Sequence, residues 1–185
     1  ELLQSENLKK EEMEQLEIIM NTTSRLAKIN QSLILLTKID NNFYTEETDI
    51  SVKNIINEKL DFFQDLIMEK KITVNTELDK QLDLRMNAYL ADTLFLNIIK
   101  NAIMHNMYNG KINIISDGRF LKFINTGSMS DIKGNIFKRF IRSNNKDSLG
   151  IGLSIVKRIC NFYSIDIIYS VNDLHEFKLD FKNES

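Results

Sequence analysis

Proline is absent from this 185-residue chain, so every turn and helix end must be made by other residues. A single cysteine, Cys160, excludes an intrachain disulfide and fits a reducing compartment. It stands in an apolar helical run and reads as a small buried hydrophobe rather than a reactive thiol. No stretch approaches about 18 uninterrupted apolar residues and no signal-peptide pattern is present, so no membrane-spanning helix is expected and the chain reads as soluble. An excess of either charge is also missing. Lys and Arg number 24 against 26 Asp and Glu, a formal charge of −2 that gives no general electrostatic case for nucleic acid or an anionic membrane. Histidine occurs only at His105 and His175. There is no internal repeat and no low-complexity tract, and at 43% hydrophobic the chain can bury one good core, or a core plus an extended helix.

What is there begins with residues 1–41, a stretch without glycine that reads as one long helix, with Ser5-Glu6-Asn7 offering a turn in front of it. Leu16, Ile19, Thr23, Leu26, Ile29, Leu33 and Leu36 advance by threes and fours, close to a coiled-coil seam. One helix cannot bury such a stripe alone, so pairing with a second copy and with a preceding helix is expected. The abrupt start in a polar helix suggests a piece of something longer.

Asp40 to Thr48 is polar and reads as a linker. Ser51 is then the expected N-cap of an amphipathic helix whose core face is Ile55, Ile56, Leu60, Phe63, Leu66 and Ile67. Ile72, Val74, Thr76 and Leu78 alternate as a strand, and a short second strand is expected around Leu84 and Met86. A helix follows over residues 88–107. Lys111 to Ser116 and Arg119 to Asn125 form a hairpin through Asp117-Gly118, a turn that needs positive φ. Another helix runs from Gly152 to Tyr163, and a last hairpin joins residues 165–171 to 177–181 around Asn172-Asp173. Helices crossed with antiparallel hairpins describe an α+β fold, a two-layer sandwich with one covered sheet.

The helix over 88–107 is the most informative stretch. Leu94, Phe95, Ile98, Ile99, Ala102 and Ile103 make its apolar face. Asn97, Asn101 and His105 are four apart and stack as a polar stripe. Asparagine is a mediocre helix former, so two in register beside core residues call for a reason. Three further segments supply one. Phe123-Ile124-Asn125-Thr126-Gly127 is a strand ending in a polar side chain and a glycine. Ile136-Phe137-Lys138-Arg139-Phe140-Ile141-Arg142 sets two aromatics three apart before a cation. Ser148-Leu149-Gly150-Ile151-Gly152-Leu153-Ser154 is a glycine-containing loop running into a helix, where backbone N–H groups and the helix N-terminus suit an anion.

In this order the four segments resemble the N, G1, F and G2 boxes of the catalytic ATP-binding domain of two-component sensor histidine kinases, over residues 50–182. The long leading helix looks like the second helix of that family's dimerisation and phosphoacceptor hairpin. The resemblance divides the chain into a partial helical hairpin, 1–45, and a catalytic domain, 46–185. It implies a Bergerat-type ATP-binding sandwich, ATP and Mg²⁺ as cofactors, homodimers through the helix, and a response-regulator receiver domain as partner. The parent would be a bacterial inner-membrane sensor, with this chain on the cytoplasmic side.

The resemblance also assigns residues. Asn101 looks like the Mg²⁺ ligand, its amide oxygen being a hard donor. Asn97 falls where related ATPases carry a water-activating carboxylate, and an amide cannot be that base. Asn125 matches the acceptor for the adenine amino group, Gly127 lets the base approach, and His105 closes the N box. Phe137 and Phe140 position a lid over residues 128–149 that is expected to move. Arg142 neutralises terminal phosphate charge, while Gly150, Gly152 and Leu153 wrap the phosphates.

Departures from the pattern are equally readable. The family carries Asp where this chain has Asn125, and an uncharged acceptor costs about 1 kcal/mol, or about fivefold in affinity. The Asn amide also needs a partner for its own N–H groups. Met104 stands where many members have lysine. Ser128-Met129 shortens the G1 box, and Ser148 replaces the first G2 glycine. These changes leave open a second reading, a degenerate nucleotide-binding and dimerisation module with weak or no kinase activity. A third, a serine kinase on the same ATP fold, leaves the long helix unexplained. Neither histidine lies in the long helix, and His175 reads as a turn-adjacent surface residue, so this chain alone is not expected to phosphorylate itself.

Overall fold

A computed structural model describes residues 2–78, 82–127, 136–137 and 150–181. Helix α1, Leu2–Asp40, runs unbroken through Ser5 to Asn7, where a turn was expected. Strand β1, Thr48–Ser51, leads directly into helix α2, Val52–Phe62, so part of the expected linker is strand and Ser51 caps without a side-chain bond. The single helix expected to extend through Ile67 is broken at Phe63, after which α3, Gln64–Glu69, begins. Next come β2, Thr73–Glu77, and β3, Asp83–Met86. Helix α4, Ala88–Met104, is followed by β4, Lys111–Ser116, and β5, Phe120–Asn125. Helix α5, Gly152–Phe162, precedes β6, Asp166–Val171, and β7, His175–Asp180.

Two layers result. Five strands form one sheet in the order β2-β4-β5-β7-β6, while β1 and β3 make a separate antiparallel ribbon. The large sheet is mixed, because β2 runs parallel to β4 while the other pairs are antiparallel. At the β4–β5 turn Gly118 has φ 81°, and Asp117 Oδ1 accepts from the N–H groups of Arg119 and Phe120 at 3.1 and 2.9 Å.

Period-two alternation puts Ile112 and Ile114 of β4, Leu121 and Phe123 of β5, and Phe177 and Leu179 of β7 on the covered face. Against them lie the eight buried residues of α4, from Leu90 to Ile103, and Ile155, Val156, Ile159 and Cys160 of α5. Each fully buried Ile, Leu or Phe contributes about 2 kcal/mol. Burial pushes the Cys160 thiol up to about 12, so it is an inert core residue. Asn113, Lys122, Glu176 and Lys178 occupy the other face.

Both ends of α4 are fastened. Asn87 caps its start, with Oδ1 accepting from Tyr89 and Leu90 N–H at 3.1 and 3.2 Å, and its own N–H donates to Tyr163 Oη at 2.8 Å. The helix stops at Met104 rather than running to residue 107, leaving His105 as its C-cap. The C-terminal end of α1 packs on α5: Leu35, Leu36 and Ile39 are buried there, and Arg158 of α5 pairs with Asp40. Farther along, Leu16, Ile19 and Leu26 remain exposed. No described helix is long and apolar enough to cross a membrane.

Candidate functional site

Helix α4 is the spine of the site, and its polar stripe meets a different element at each end. Near the middle, Asn97 is half-buried and its Nδ2 donates to Thr93 O at 2.8 Å. Its Oδ1 lies against the start of α5, so closely that a Cβ on Gly152 would stand 2.6 Å from it. Only a residue without a side chain leaves both in place. Ahead of α5, Gly150 has φ 66°, the left-handed conformation that glycine adopts without strain. No side chain caps α5, whose Ser154 Oγ instead donates back to Ile151 O at 2.7 Å. A helix start in this condition is suited to an anion. Leu153 is half-buried at the edge of the core.

At the other end of α4, His105 meets β5. A Cβ on Gly127 would come 3.1 Å from His105 O and 2.6 to 2.7 Å from the His175 ring. Asn125, Leu121 and Phe123 share the covered face of β5, so the asparagine is a polar end to an apolar row, 3% exposed. Its cross-strand partner is His175. The Asn125 Nδ2 donates to Thr126 O at 3.1 Å, which supplies the partner that the amide needed and leaves Oδ1 as the acceptor.

His175 corrects the sequence reading. It stands beside a turn, but it is 9% exposed rather than a surface residue. The alternation His175, Phe177, Leu179 places it on the covered face, a signal present in the sequence. Its Nδ1 shares a 2.6 Å hydrogen bond with Tyr169 Oη, and the two rings stack at 6.0 Å. Burial, then the charges of Lys70 and His175, hold His105 below the ordinary histidine value.

Asn101 lies half-buried one turn from both Asn97 and His105. Its amide oxygen is of the type a hard divalent cation takes. Among the described residues no group of three His, Cys, Asp or Glu side chains could hold a metal. A cation held by that amide together with oxygens brought by its ligand fits Mg²⁺ with a polyphosphate. Phe137 packs beside α5, with Lys157 Nζ 5.7 Å from its ring centroid. It lines a hollow of about 320 Å³ with Leu36, Asp40, Ser154, Lys157, Arg158 and Asn161. Phe140, Arg142, Ser148 and the expected lid apart from Ile136 and Phe137 lie outside the described residues.

The arrangement of this sheet and its helices is the fold of histidine kinase catalytic domains. The catalytic domain of histidine kinase ThkA matches with a TM-score of 0.65 at 23% identity, over 74% of this chain and 95% of that one. Acinetobacter baumannii histidine kinase AdeS matches with a TM-score of 0.72 at 19% identity, over 91% and 84%. In sequence the chain is similar to sensor histidine kinases. It is 28% identical over 152 residues to the heme sensor protein HssS of Staphylococcus saprophyticus, covering 78% of this chain and 33% of that protein. It is also 28% identical over 183 residues to the signal transduction histidine-protein kinase ArlS of Staphylococcus aureus, covering 91% and 40%. The chain thus spans a third to two fifths of the length of these relatives. No protein-family model matches it.

Proposed function

We propose that this chain is the ATP-binding catalytic part of a sensor histidine kinase, transferring the γ-phosphoryl group of Mg-ATP to a histidine on a separate helix. The observation that carries the reading is the double engagement of α4. Asn97 abuts Gly152 at one end of the polar stripe and His105 abuts Gly127 at the other, leaving Asn101 between a helix N-terminus and a polar strand end. Similarity to ArlS and HssS, and the shared fold with ThkA and AdeS, support it.

In this reading Asn125 Oδ1 accepts from the adenine amino group, with Gly127 giving the base room. Asn101 ligates Mg²⁺ together with phosphate oxygens, Gly150, Gly152 and Leu153 surround the phosphates, and Arg142 offsets terminal charge. Phe137 and Phe140 position the lid over residues 128–149. An acceptor imidazole nitrogen forms a bond to the γ-phosphorus as the bond to the ADP oxygen breaks. Asn97 gives no general base for water, which keeps the phosphoryl group for the histidine. His105 and His175 flank Asn125 and Gly127, at the base end, so the acceptor comes from elsewhere.

The division into 1–45 and 46–185, dimerisation through the exposed stripe of α1, relay to a response-regulator aspartate and a membrane-bound parent belong to the same proposal. No observation favours the degenerate reading. Titration calorimetry with a non-hydrolysable ATP analogue and Mg²⁺ tests the site. Saturable, Mg²⁺-dependent heat is expected, and no heat at millimolar nucleotide would overturn the reading. Supplying a histidine-bearing helix with labelled ATP should give acid-labile, base-stable label on that helix and none on this chain.

A further inference from the structure

Helix α4 carries no basic residue in its last turn, so nothing on the helix itself answers the partial negative charge of its C-terminus. A lysine more than thirty residues away does so. Lys70, at the end of α3, donates from Nζ to Met104 O at 2.9 Å, Ile103 O at 3.0 Å and, more loosely, Asn106 O at 3.4 Å. The ammonium group has three donors, and all are used on this one helix end. The Lys70 carbonyl in turn accepts from Asn109 N–H at 2.9 Å, so main chain and side chain grip the same α4–β4 connection.

From there a relay of part-buried hydrogen bonds leads to the residue just after β5. Asn106, 7% exposed, donates from Nδ2 to Lys111 O at 3.1 Å. Its Oδ1 accepts from Met107 N–H at 2.9 Å and from Thr126 Oγ1 at 2.6 Å. The same hydroxyl oxygen accepts from Lys111 N–H at 2.7 Å. Gly110 has no room for a Cβ because Asn106 Oδ1 and Thr126 Oγ1 fill the space. Thr126 is the residue between Asn125 and Gly127, and its carbonyl holds the Asn125 amide.

We infer that Lys70 is a positioning residue for the base end of the nucleotide site, acting through Asn106 and Thr126 to hold the end of α4 in register with Asn125 and Gly127. The inference rests on the proposed nucleotide function and deepens it. Lys70 touches no substrate. It holds the Ile103 and Met104 carbonyls just before the chain turns through His105 into Asn106, and the relay transmits that placement to the amide that reads the base. The bonds of Lys70, Asn106 and Thr126 lie at the base end, whereas Gly152 at the phosphate end faces Asn97.

That asymmetry gives the test. Affinities for a non-hydrolysable ATP analogue and for inorganic tripolyphosphate, both with Mg²⁺, are measured by calorimetry on the whole chain, with a thermal melt of each variant. Losing charge-assisted bonds in Lys70→Met is expected to weaken the ATP analogue about tenfold while tripolyphosphate changes by less than about twofold. Lys70→Arg, which keeps the cation, is expected to restore most of the loss. Equal weakening of both ligands, or no weakening of either, overturns the inference. If Lys70→Met shows no cooperative melt, Thr126→Val cuts the relay at its other end and carries the same expectation and the same refutation. A wild-type chain that binds neither ligand overturns the site reading itself, and this inference with it.

Discussion

Replacing Gly152 by alanine separates a working junction between α4 and α5 from mere packing. Gly152 is the first residue of α5 and does not have positive φ, so alanine suits its backbone. Helix propensity favours the change by up to about 1 kcal/mol. The new Cβ would stand 2.6 Å from Asn97 Oδ1 and 3.6 Å from Asn97 Cγ, and the first of these distances cannot persist. The atom in the way is the tip of a rotatable side chain, so the fold can yield by turning the Asn97 amide. Turning it breaks the 2.8 Å bond from Nδ2 to Thr93 O, at a cost of about 1 kcal/mol. The gain and the loss offset each other, so stability should change by less than about 1 kcal/mol, or roughly 2 to 4 °C in Tm for a chain of this size.

Nucleotide binding should respond differently. In the proposed site the same methyl group sits where backbone N–H groups approach phosphate, and it displaces the Asn97 amide beside that approach. Affinity for Mg²⁺ and a non-hydrolysable ATP analogue should fall about tenfold or more, about 1.4 kcal/mol. Differential scanning fluorimetry and titration calorimetry on one preparation read both quantities. Unchanged affinity would refute the placement of phosphates at Gly152. A loss of stability well beyond 1 kcal/mol would refute the idea that Asn97 can turn aside.

Gly127→Ala should differ in its effect on stability, because its Cβ would meet the His175 ring at 2.6 to 2.7 Å and that ring is held by Tyr169. Overpacking of this kind costs about 1 to 3 kcal/mol, so a thermal melt should show a clear loss of stability along with weakened nucleotide binding. His105 has a folded-state pKa below its ordinary 6.5, through burial and then the charges of Lys70 and His175. The unfolded chain therefore takes up the proton first. Stability is full above the ordinary value and is lost as pH falls from there through the lowered folded value, and His105→Gln should flatten that acid limb in melts across the range. On α1, glutamate at Leu16, Ile19 and Leu26, all about 60% exposed, should raise the dimer dissociation constant at least about tenfold in sedimentation equilibrium without moving the melt of the sandwich.

Local pattern carried much of the fold. The eight buried positions of α4 announce themselves by helical spacing, and Asp117-Gly118 marks its hairpin by turn chemistry alone. Pairings between distant segments left no such mark. Strand β1 is four residues long with two of them exposed, and only its partner β3, more than thirty residues away, makes it a strand. The parallel pairing of β2 with β4 likewise has no local signature. The last carbonyls of α4 are bonded by Lys70, which reaches in from the end of α3, a long-range contact that propensity along 100–107 does not contain. At the candidate site, a family pattern nominates Asn97, Asn101, Asn125, Gly127 and Gly152, and the structure sets Asn97 against Gly152 and Gly127 against His105 and His175. His175 was legible from alternation but was outvoted by its neighbour in sequence, the turn.

The departure at Asn125 follows from the same local geometry. An aspartate at this position would set a carboxylate oxygen against the Thr126 carbonyl, where the asparagine amide donates at 3.1 Å. The Thr126 hydroxyl is bonded to Asn106 Oδ1, and the N–H of Lys111 donates to it. With that hydroxyl and the peptide beside it fixed, the carbonyl has little freedom to turn away from a charge. The neutral amide suits this strand end, and if Asn125 reads the base as proposed, the affinity lost with the charge, about fivefold, would be offset in part by an acceptor already oriented before the base arrives. Lys70, Asn106, Thr126 and Asn125 are joined by hydrogen bonds, and under the proposed reading a change at any of them should be felt at the base rather than at the phosphates.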